Sequence, residues 1–193
     1  MNDLESMELP ILTPDQVTKF VKEMLTARGV LFDESLPLRL IERLGRPIPL
    51  FMQMATQGLY RLWKRRDNKI MEKSFRFTAA HVDQVFDDLV RKSAARGKLQ
   101  HYYSRISRYY ADPGRSAAYE LLSGMSLSPE GLTRSTLNQQ FDRLLDEAEG
   151  DIPSYQRKQM FNQLLYDLEN DFYVSEVAED RYDFASGVIK SWW

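Results

Sequence analysis

Apolar residues recur at helical spacing along most of this 193-residue chain, and that periodicity constrains its fold more than any other feature. The clearest case follows Thr13-Pro14-Asp15, where threonine is a favourable N-cap and proline suits the first helical position. The apolar positions that follow at i, i+3, i+4, i+7 and i+8 are Val17, Phe20, Val21, Met24 and Leu25. This pattern predicts an amphipathic helix that ends near Gly29.

Three more amphipathic helices are predicted in the first half of the chain. One ends at Gly45, the next begins after Pro49, and the last starts at Thr78. Four such helices in about 90 residues predict a small helical bundle. The basic run at residues 64–66 lies at the C-terminus of the third helix, where cations complement the helix dipole. We interpret it as a solvated helix end and keep a nucleic-acid or partner patch as the alternative.

The pattern changes beyond a candidate linker at residues 93–97. Further helices, the last of them capped by Ser154, are followed by two aromatic, β-branched segments at residues 172–175 and 181–184, with residues 176–180 as the turn. Helix, turn-helix, helix and hairpin is the order of a winged helix-turn-helix, with residues 185–193 packing back as a last helix. We therefore predict a mainly α chain: a helical-bundle domain over residues 1–95, then a winged helix-turn-helix domain with a small β-hairpin over residues 96–193.

Composition limits the chemistry that this chain can perform. It has no cysteine and only two histidines, so disulfides and thiolate chemistry are excluded and a histidine metal site nearly so. The longest apolar runs fall far short of the roughly 20 residues of a membrane span, and the N-terminus has no signal-peptide pattern. We expect a cytoplasmic protein with no metal site and no membrane partner.

No catalytic constellation is visible in the sequence. A P-loop requires G-x-x-x-x-G-K-[ST], and the one Gly-Lys pair, Gly97-Lys98, is followed by Leu99 and lacks the earlier glycine. There is no G-x-S-x-G nucleophile motif, and the carboxylates fall at helix ends and turns, where solvated charge is usual. We expect no enzymatic activity from this chain alone.

Two stretches resemble the lid region of prokaryotic AAA+ and STAND-type P-loop ATPases: Leu-Pro-x-Leu-Thr-Pro-Asp-x-Val at residues 9–17 and Leu-Gly-Arg-Pro-Ile-Pro-Leu-Phe-Met-Gln at residues 44–53. The second half is similar to the winged helix that follows that lid, at residues 127–132, 165–173 and 182–193. The resemblance implies a helical lid followed by a winged helix, C-terminal to a nucleotide-binding core that this chain lacks. ATP or ADP would then be bound by the missing core, and no cofactor by this chain itself.

The same resemblance implies a site where the lid approaches the nucleotide. Gly45, Arg46 and Pro49 match that position, and Arg46 would sense phosphate charge. The alternative is structural, with Gly45 as a helix C-cap and Pro49 setting the entry of the next helix.

The last long helix carries the candidate partner-binding residues. If its apolar residues face the core, those pointing outward are Gln159, Gln163, Tyr166 and Asn170, with Lys158 on the flank. Amide side chains can pair with adenine edges, but the predicted wing is acidic and would repel phosphates. Arg105 and Arg108 on an earlier helix are also expected to point outward, toward nucleic acid or the missing core.

Two functions follow from this pattern. We favour a regulatory or interaction module of a nucleotide-switched ATPase, whose partner is the missing nucleotide-binding domain or another protein, with oligomers possible. The alternative is a DNA-binding winged-helix protein of transcription, replication or mobile elements that binds double-stranded DNA. The charge favours the first, since residues 94–193 carry 11 basic against 15 acidic residues, whereas residues 1–93 carry 15 against 13.

Overall fold

A computed structural model describes residues 12–67, 76–91, 93–147 and 152–193. Within these ranges the chain is mainly helical, with a small antiparallel sheet of three strands near its C-terminus, so the predicted fold class is confirmed. The chain divides into two compact units, Met1–Phe86 and Asp87–Trp193. Residues 93–97 were predicted as a linker, but their backbone is helical, so this prediction is wrong. Residue 92 and the side chains of residues 93–96 lie outside the described residues, and the domain boundary predicted between residues 95 and 96 stays a prediction.

The first unit is a bundle of helices with one short pair of parallel strands. Its elements are α1 Pro14–Thr26, β1 Leu31–Phe32, α2 Ser35–Leu44, α3 Pro49–Asp67, β2 Arg76–Phe77 and α4 Ala79–Arg91, the last of which continues into the second unit. Fully buried side chains from the helices form its core, among them Val17, Leu40, Leu59 and Phe86. The four predicted helices are therefore all present.

Helix α1 begins where the sequence predicts. The Thr13 hydroxyl accepts a hydrogen bond from the Gln16 backbone N–H at 3.3 Å, and the Gln16 side-chain oxygen accepts one from the Thr13 N–H at 2.8 Å. This reciprocal capping box satisfies two N–H groups that a helix terminus would otherwise leave open. Val17, Val21 and Leu25 are buried on one face, as their spacing predicts.

The strands β1 and β2 were not predicted. Leu31 pairs with Arg76 and Phe32 with Phe77, and the Asp33 N–H donates to the Phe77 carbonyl at 2.8 Å. Two-residue strands are too short to show the alternation of apolar and polar residues that identifies a strand in a sequence. Only their backbone pairing in the folded unit identifies them. Phe77 is fully buried, which fixes the segment before α4 to the core.

The second unit contains the remaining elements: α5 Ser93–Tyr109, α6 Gly114–Ser126, β3 Leu132–Thr133, α7 Arg134–Glu147, α8 Ser154–Asn170, β4 Val174–Ala178, β5 Arg181–Phe184 and α9 Gly187–Trp192. The sheet has the order β3-β5-β4, with both pairings antiparallel. We call the β4–β5 hairpin the wing. The helices α6, α7 and α8 bury apolar faces against one another, with Leu122, Phe141 and Phe161 in the core.

The turn that the predicted helix, turn-helix order places before α7 contains a two-residue strand, β3. Gly131 adopts φ of 75°, and a Cβ there would lie 2.2 Å from the Tyr182 carbonyl oxygen. The missing side chain lets Leu132 pair directly with Tyr182. A close backbone approach of this kind depends on a strand 50 residues away, so local sequence does not reveal it.

Two local predictions near α8 are corrected. Ser154 is the first residue of α8 and not its cap, because Pro153 holds the N-cap position without a side-chain hydrogen bond. The first wing strand begins at Val174 and runs to Ala178, whereas residues 172–175 were predicted. Phe172, at φ of 61°, belongs to the turn that ends α8, and the wing turn is confined to Glu179 and Asp180.

The C-terminal residues pack back on the second unit, as predicted. Lys190 on α9 donates to the Ser128 and Pro129 carbonyls at 2.6 and 3.1 Å and to the Asp183 carboxylate at 2.7 Å. The Trp193 indole N–H donates to the Ser123 hydroxyl at 3.3 Å. Its ring lies 5.2 Å from Tyr103 and 6.0 Å from Phe184, centroid to centroid, in an aromatic cluster that also includes Tyr119 and Trp192.

Across the described ranges, none of the helices combines the length and the apolar character needed to cross a membrane.

Candidate functional site

Helix α8 has one buried and one exposed face, with the phase that the sequence predicts. The residues on its buried face are Phe161, Leu164, Leu165 and Leu168. On the outer side Lys158, Gln159, Gln163 and Tyr166 are all exposed, and 60% of Tyr166 is accessible. The structure therefore brings these four predicted residues onto one surface of the second unit.

Two further residues extend this surface and were missed by the sequence reasoning. Tyr155 is 62% exposed and lies one turn before Gln159, and Asn162 is exposed one turn after Lys158. Helical spacing is the signal that could have found Tyr155, because it lies four residues before Gln159. We call Tyr155, Lys158, Gln159, Asn162, Gln163 and Tyr166 the α8 face.

The α8 face is rich in amides and tyrosines and carries a single charge, on Lys158. The Gln163 amide donates to Asp167 at 2.8 Å, and the Asn162 carbonyl oxygen accepts from Arg134 at 2.9 Å. Tyrosine offers a large contact area at a low cost in conformational entropy, and amides can donate and accept. This chemistry suits contact with another protein surface.

Two arginines that border the α8 face are held inside the second unit. Arg134 donates to Asn162 and, at 3.3 Å, to the Tyr182 hydroxyl, and its guanidinium lies 5.9 Å from the Phe161 ring centroid. Arg157 donates to the Ile152 carbonyl at 2.8 Å and to the Asp146 carboxylate at 2.5 Å. Binding a phosphate would require either guanidinium to give up these contacts.

A groove of about 820 Å³ lies beside the first half of α8, against the start of α7. Its lining mixes both signs of charge and includes Arg134, Arg157, Lys158, Asp142 and Asp180. A polyanion entering here would meet carboxylates as well as cations, which weakens its attraction.

The wing is acidic at its tip, as the sequence predicts. The Glu176 carboxylate accepts a hydrogen bond from the Asp180 N–H at 2.8 Å, which closes the two-residue turn. Glu176, Glu179 and Asp180 are exposed, and Arg181 next to them is half-buried. In a winged helix bound to DNA this hairpin lies close to phosphates, so these carboxylates would oppose docking.

Of the two arginines predicted to point outward from α5, only Arg108 is exposed. Arg105 donates to Asp171 at 2.6 Å, and both side chains are half-buried. The Tyr110 hydroxyl donates to the other oxygen of Asp171 at 3.0 Å. The outward orientation predicted for Arg105 is therefore wrong, because its helical phase could not reveal a carboxylate 66 residues later in the chain.

Burial governs the ionisation of the tyrosines around this ion pair. Desolvation, followed by the charge of Asp171, raises the pKa of Tyr110 far above its ordinary value. Desolvation also raises the pKa of Tyr173, whose hydroxyl donates to the Tyr102 carbonyl at 2.6 Å. These phenols are neutral structural donors at physiological pH.

The three residues that the family resemblance places near a nucleotide, Gly45, Arg46 and Pro49, lie in the first unit. Gly45 caps α2 with φ of 70°, and its N–H donates to the Ile41 carbonyl at 2.9 Å. Arg46 is half-buried, and its carbonyl accepts from the Ile48 N–H at 2.8 Å, just before Pro49 begins α3. Gly45 thus caps one helix and Pro49 begins the next, as the structural alternative expects. A nucleotide-sensing role for these residues stays a prediction.

Among the described residues, no group of three or more histidine, aspartate or glutamate side chains is arranged to bind a metal ion. His81 instead supports the start of α4, where its Nδ1 accepts a hydrogen bond from the Thr78 N–H at 3.1 Å.

Comparisons with protein-family models, curated proteins and solved structures find no match to this chain.

Proposed function

We propose that the second unit is a protein-contact module and that this chain is the regulatory C-terminal part of a nucleotide-switched ATPase of the AAA+/STAND type, without catalytic activity of its own. One observation carries the proposal: the α8 face consists of amides and tyrosines with a single lysine, and it lies in the same unit as an acidic wing. The ATPase parentage is supported by the sequence resemblance at residues 9–17 and 44–53.

Charge is the reason to prefer a protein partner to DNA. Neutralisation of phosphates by lysine and arginine supplies most non-specific DNA affinity. Near α8, Arg134 and Arg157 are engaged within the unit, whereas the acids at the wing tip are exposed. A protein surface needs no such neutralisation, and tyrosines beside amides are well suited to it.

The nucleotide would act on this chain through the nucleotide-binding core, which the chain lacks. In the parent ATPase, ATP or ADP bound to the core would favour one arrangement of core and lid, and the α8 face would bind its partner better in one of the two states. Such a switch requires only that the partner's affinity differ between the states, by typically 1–3 kcal/mol.

The test begins with the gene that encodes the chain, where we expect a P-loop in the same reading frame upstream of Met1. That nucleotide-binding core is expressed and purified. Its association with the full chain is then measured by calorimetry in the presence of ATP, in the presence of ADP, and without nucleotide. We expect nucleotide-dependent binding that Gln159→Ala/Tyr166→Ala weakens at least tenfold. Leu127→Ala, at an exposed side chain just after α6, should leave it unchanged. Failure to associate in either nucleotide state would overturn the proposal.

The second candidate function, a DNA-binding winged helix, is favoured by one feature: Lys158 and Gln159 are both exposed in the first half of α8, which enters the major groove in such proteins. Fluorescence anisotropy with duplex DNA separates the two functions. Salt-sensitive duplex binding that Lys158→Glu abolishes would support this second function against the first.

A further inference from the structure

The first unit carries a stack of three side chains at its surface. The Arg28 guanidinium lies 5.1 Å from the Tyr60 ring centroid, and Tyr60 stacks on Trp63 with centroids 5.7 Å apart and ring planes 27° apart. Arg28 is held in place by a hydrogen bond from its Nη1 to the Met24 carbonyl at 2.7 Å. Arg28 is exposed and both rings are half-buried, so the stack meets solvent at an ordered position.

Cations surround this stack on α3. Arg61, Lys64 and Arg65 are exposed, and Lys64 lies one helical turn after Tyr60. Residues 49–66 contain no aspartate or glutamate. We call Arg28, Tyr60, Arg61, Trp63, Lys64 and Arg65 the α3 basic face; the side chain of residue 66 lies outside the described residues.

The helix dipole explains a cation in the last turn of α3. It does not explain Arg28, which comes from beyond the end of α1 and lies against Tyr60. Neither does it explain two aromatic rings that remain partly in solvent beside exposed cations. A row of cations beside stacked aromatic rings is the combination by which proteins bind single-stranded nucleic acids, where cations meet the backbone and rings meet bases.

We propose that the α3 basic face binds single-stranded nucleic acid, with Arg61, Lys64 and Arg65 contacting phosphates and Trp63 stacking on a base. Arg28 and Trp63 both lie against the Tyr60 ring, so the ring that remains for a base is that of Trp63. This surface lies in the first unit and does not depend on the protein-contact role of the second.

The charge contribution is tested by fluorescence anisotropy of the full chain with a labelled oligothymidylate of about 20 nucleotides. Three phosphate contacts predict a slope of log K against log salt of about −2, since each contact on a single strand contributes about −0.7. Lys64→Glu/Arg65→Glu should weaken binding at least tenfold and flatten the slope. Arg91→Glu/Arg143→Glu changes the net charge equally at exposed sites on α4 and α7 and should weaken binding less than twofold.

The stacking contribution is tested with an abasic oligonucleotide of the same length. The wild-type chain should bind it about fivefold or more weakly than oligothymidylate, and Trp63→Leu should remove this difference. Circular dichroism checks that each variant is folded; because Lys64 and Arg65 are exposed, their double variant keeps the test valid if Trp63→Leu unfolds the unit.

Equal affinity for the abasic and thymidine strands would overturn the stacking role of Trp63. Absence of oligonucleotide binding, equal loss in both double variants, or binding only to vesicles of anionic lipid would overturn the proposal as a whole. Binding that survives Gln159→Ala/Tyr166→Ala separates this result from that for the α8 face, because those residues belong to the other unit.

Discussion

Arg105 and Asp171 form an ion pair of 2.6 Å that joins α5 to the turn after α8, and Tyr110 completes it by donating to the same carboxylate. One carboxylate thereby accepts from a guanidinium on α5 and from the phenol of the residue that follows α5. Because Asp171 follows the last residue of α8, this contact helps to set the position of the α8 face within the second unit.

The ionisation of Tyr110 should limit stability at high pH. Its folded-state pKa is raised, mainly by burial, so the folded state keeps a proton that the unfolded chain loses near pH 10. This stability is fully present below about pH 10 and is lost as the pH rises above it. Urea unfolding from pH 8 to pH 11 should show this decline, and Tyr110→Phe should make it shallower. An unchanged slope in that variant would mean that Tyr110 does not contribute.

Gly131→Ala should disrupt the pairing of β3 with β5. The new Cβ would lie 2.2 Å from the Tyr182 carbonyl oxygen, at a φ of 75° that alanine rarely adopts. We expect the free energy of unfolding to fall by more than about 1 kcal/mol in urea titrations. Gly114→Ala is the matched control, because no atom lies within 4 Å of its added Cβ, and it should be neutral or slightly stabilising. Equal effects of the two substitutions would contradict the close approach at Gly131.

Lys190→Met should destabilise the second unit by about 2 kcal/mol, because it removes three hydrogen bonds and leaves the carboxylate of Asp183 without its cation. The two side chains are only 18% and 17% exposed, so solvent replaces the lost partner poorly. Thermal unfolding measures the effect. Arg143→Met, which breaks an exposed pair with Glu147, should cost less than about 0.5 kcal/mol. A similar cost for both variants would argue against a buried role for Lys190.

Gln140→Leu should stabilise the protein. Gln140 is on α7, and its side-chain oxygen is buried near Gly124 on α6. Within the part of the chain that the structure describes, this oxygen has no hydrogen-bond donor. Removing an unsatisfied buried acceptor should raise the free energy of unfolding by about 1 kcal/mol. Gln139→Leu, at the exposed neighbouring position, should bring no such gain. A lower melting temperature for Gln140→Leu would contradict this prediction.

The sequence predicts the helices of this fold well because their signals are local. The capping box at Thr13 and the buried face of α8 both depend on residues three or four positions apart. Strand β3 depends instead on Tyr182, and β1 depends on Arg76 and Phe77, so neither leaves a signal at its own position. Strand pairs between residues this far apart in the sequence can be assigned only once the fold is known.

In the candidate site, too, residues with local signals were predicted correctly and residues that depend on distant partners were not. Tyr166 was placed correctly on the exposed side of α8 because helical phase determines its direction. Arg105 was placed incorrectly because its partner, Asp171, comes from a distant part of the chain. The Arg28 and Tyr60 contact was missed for the same reason, since it joins residues from separate helical segments.

The three tryptophans give each unit its own optical signal. Trp63 stacks on Tyr60 in the first unit, and Trp192 and Trp193 lie in the aromatic cluster of the second. In a Trp63→Phe variant, indole emission comes from the second unit alone, whereas in a Trp192→Phe/Trp193→Phe variant it reports only the first. Stopped-flow fluorescence on these two variants can therefore time the folding of each half without separating them.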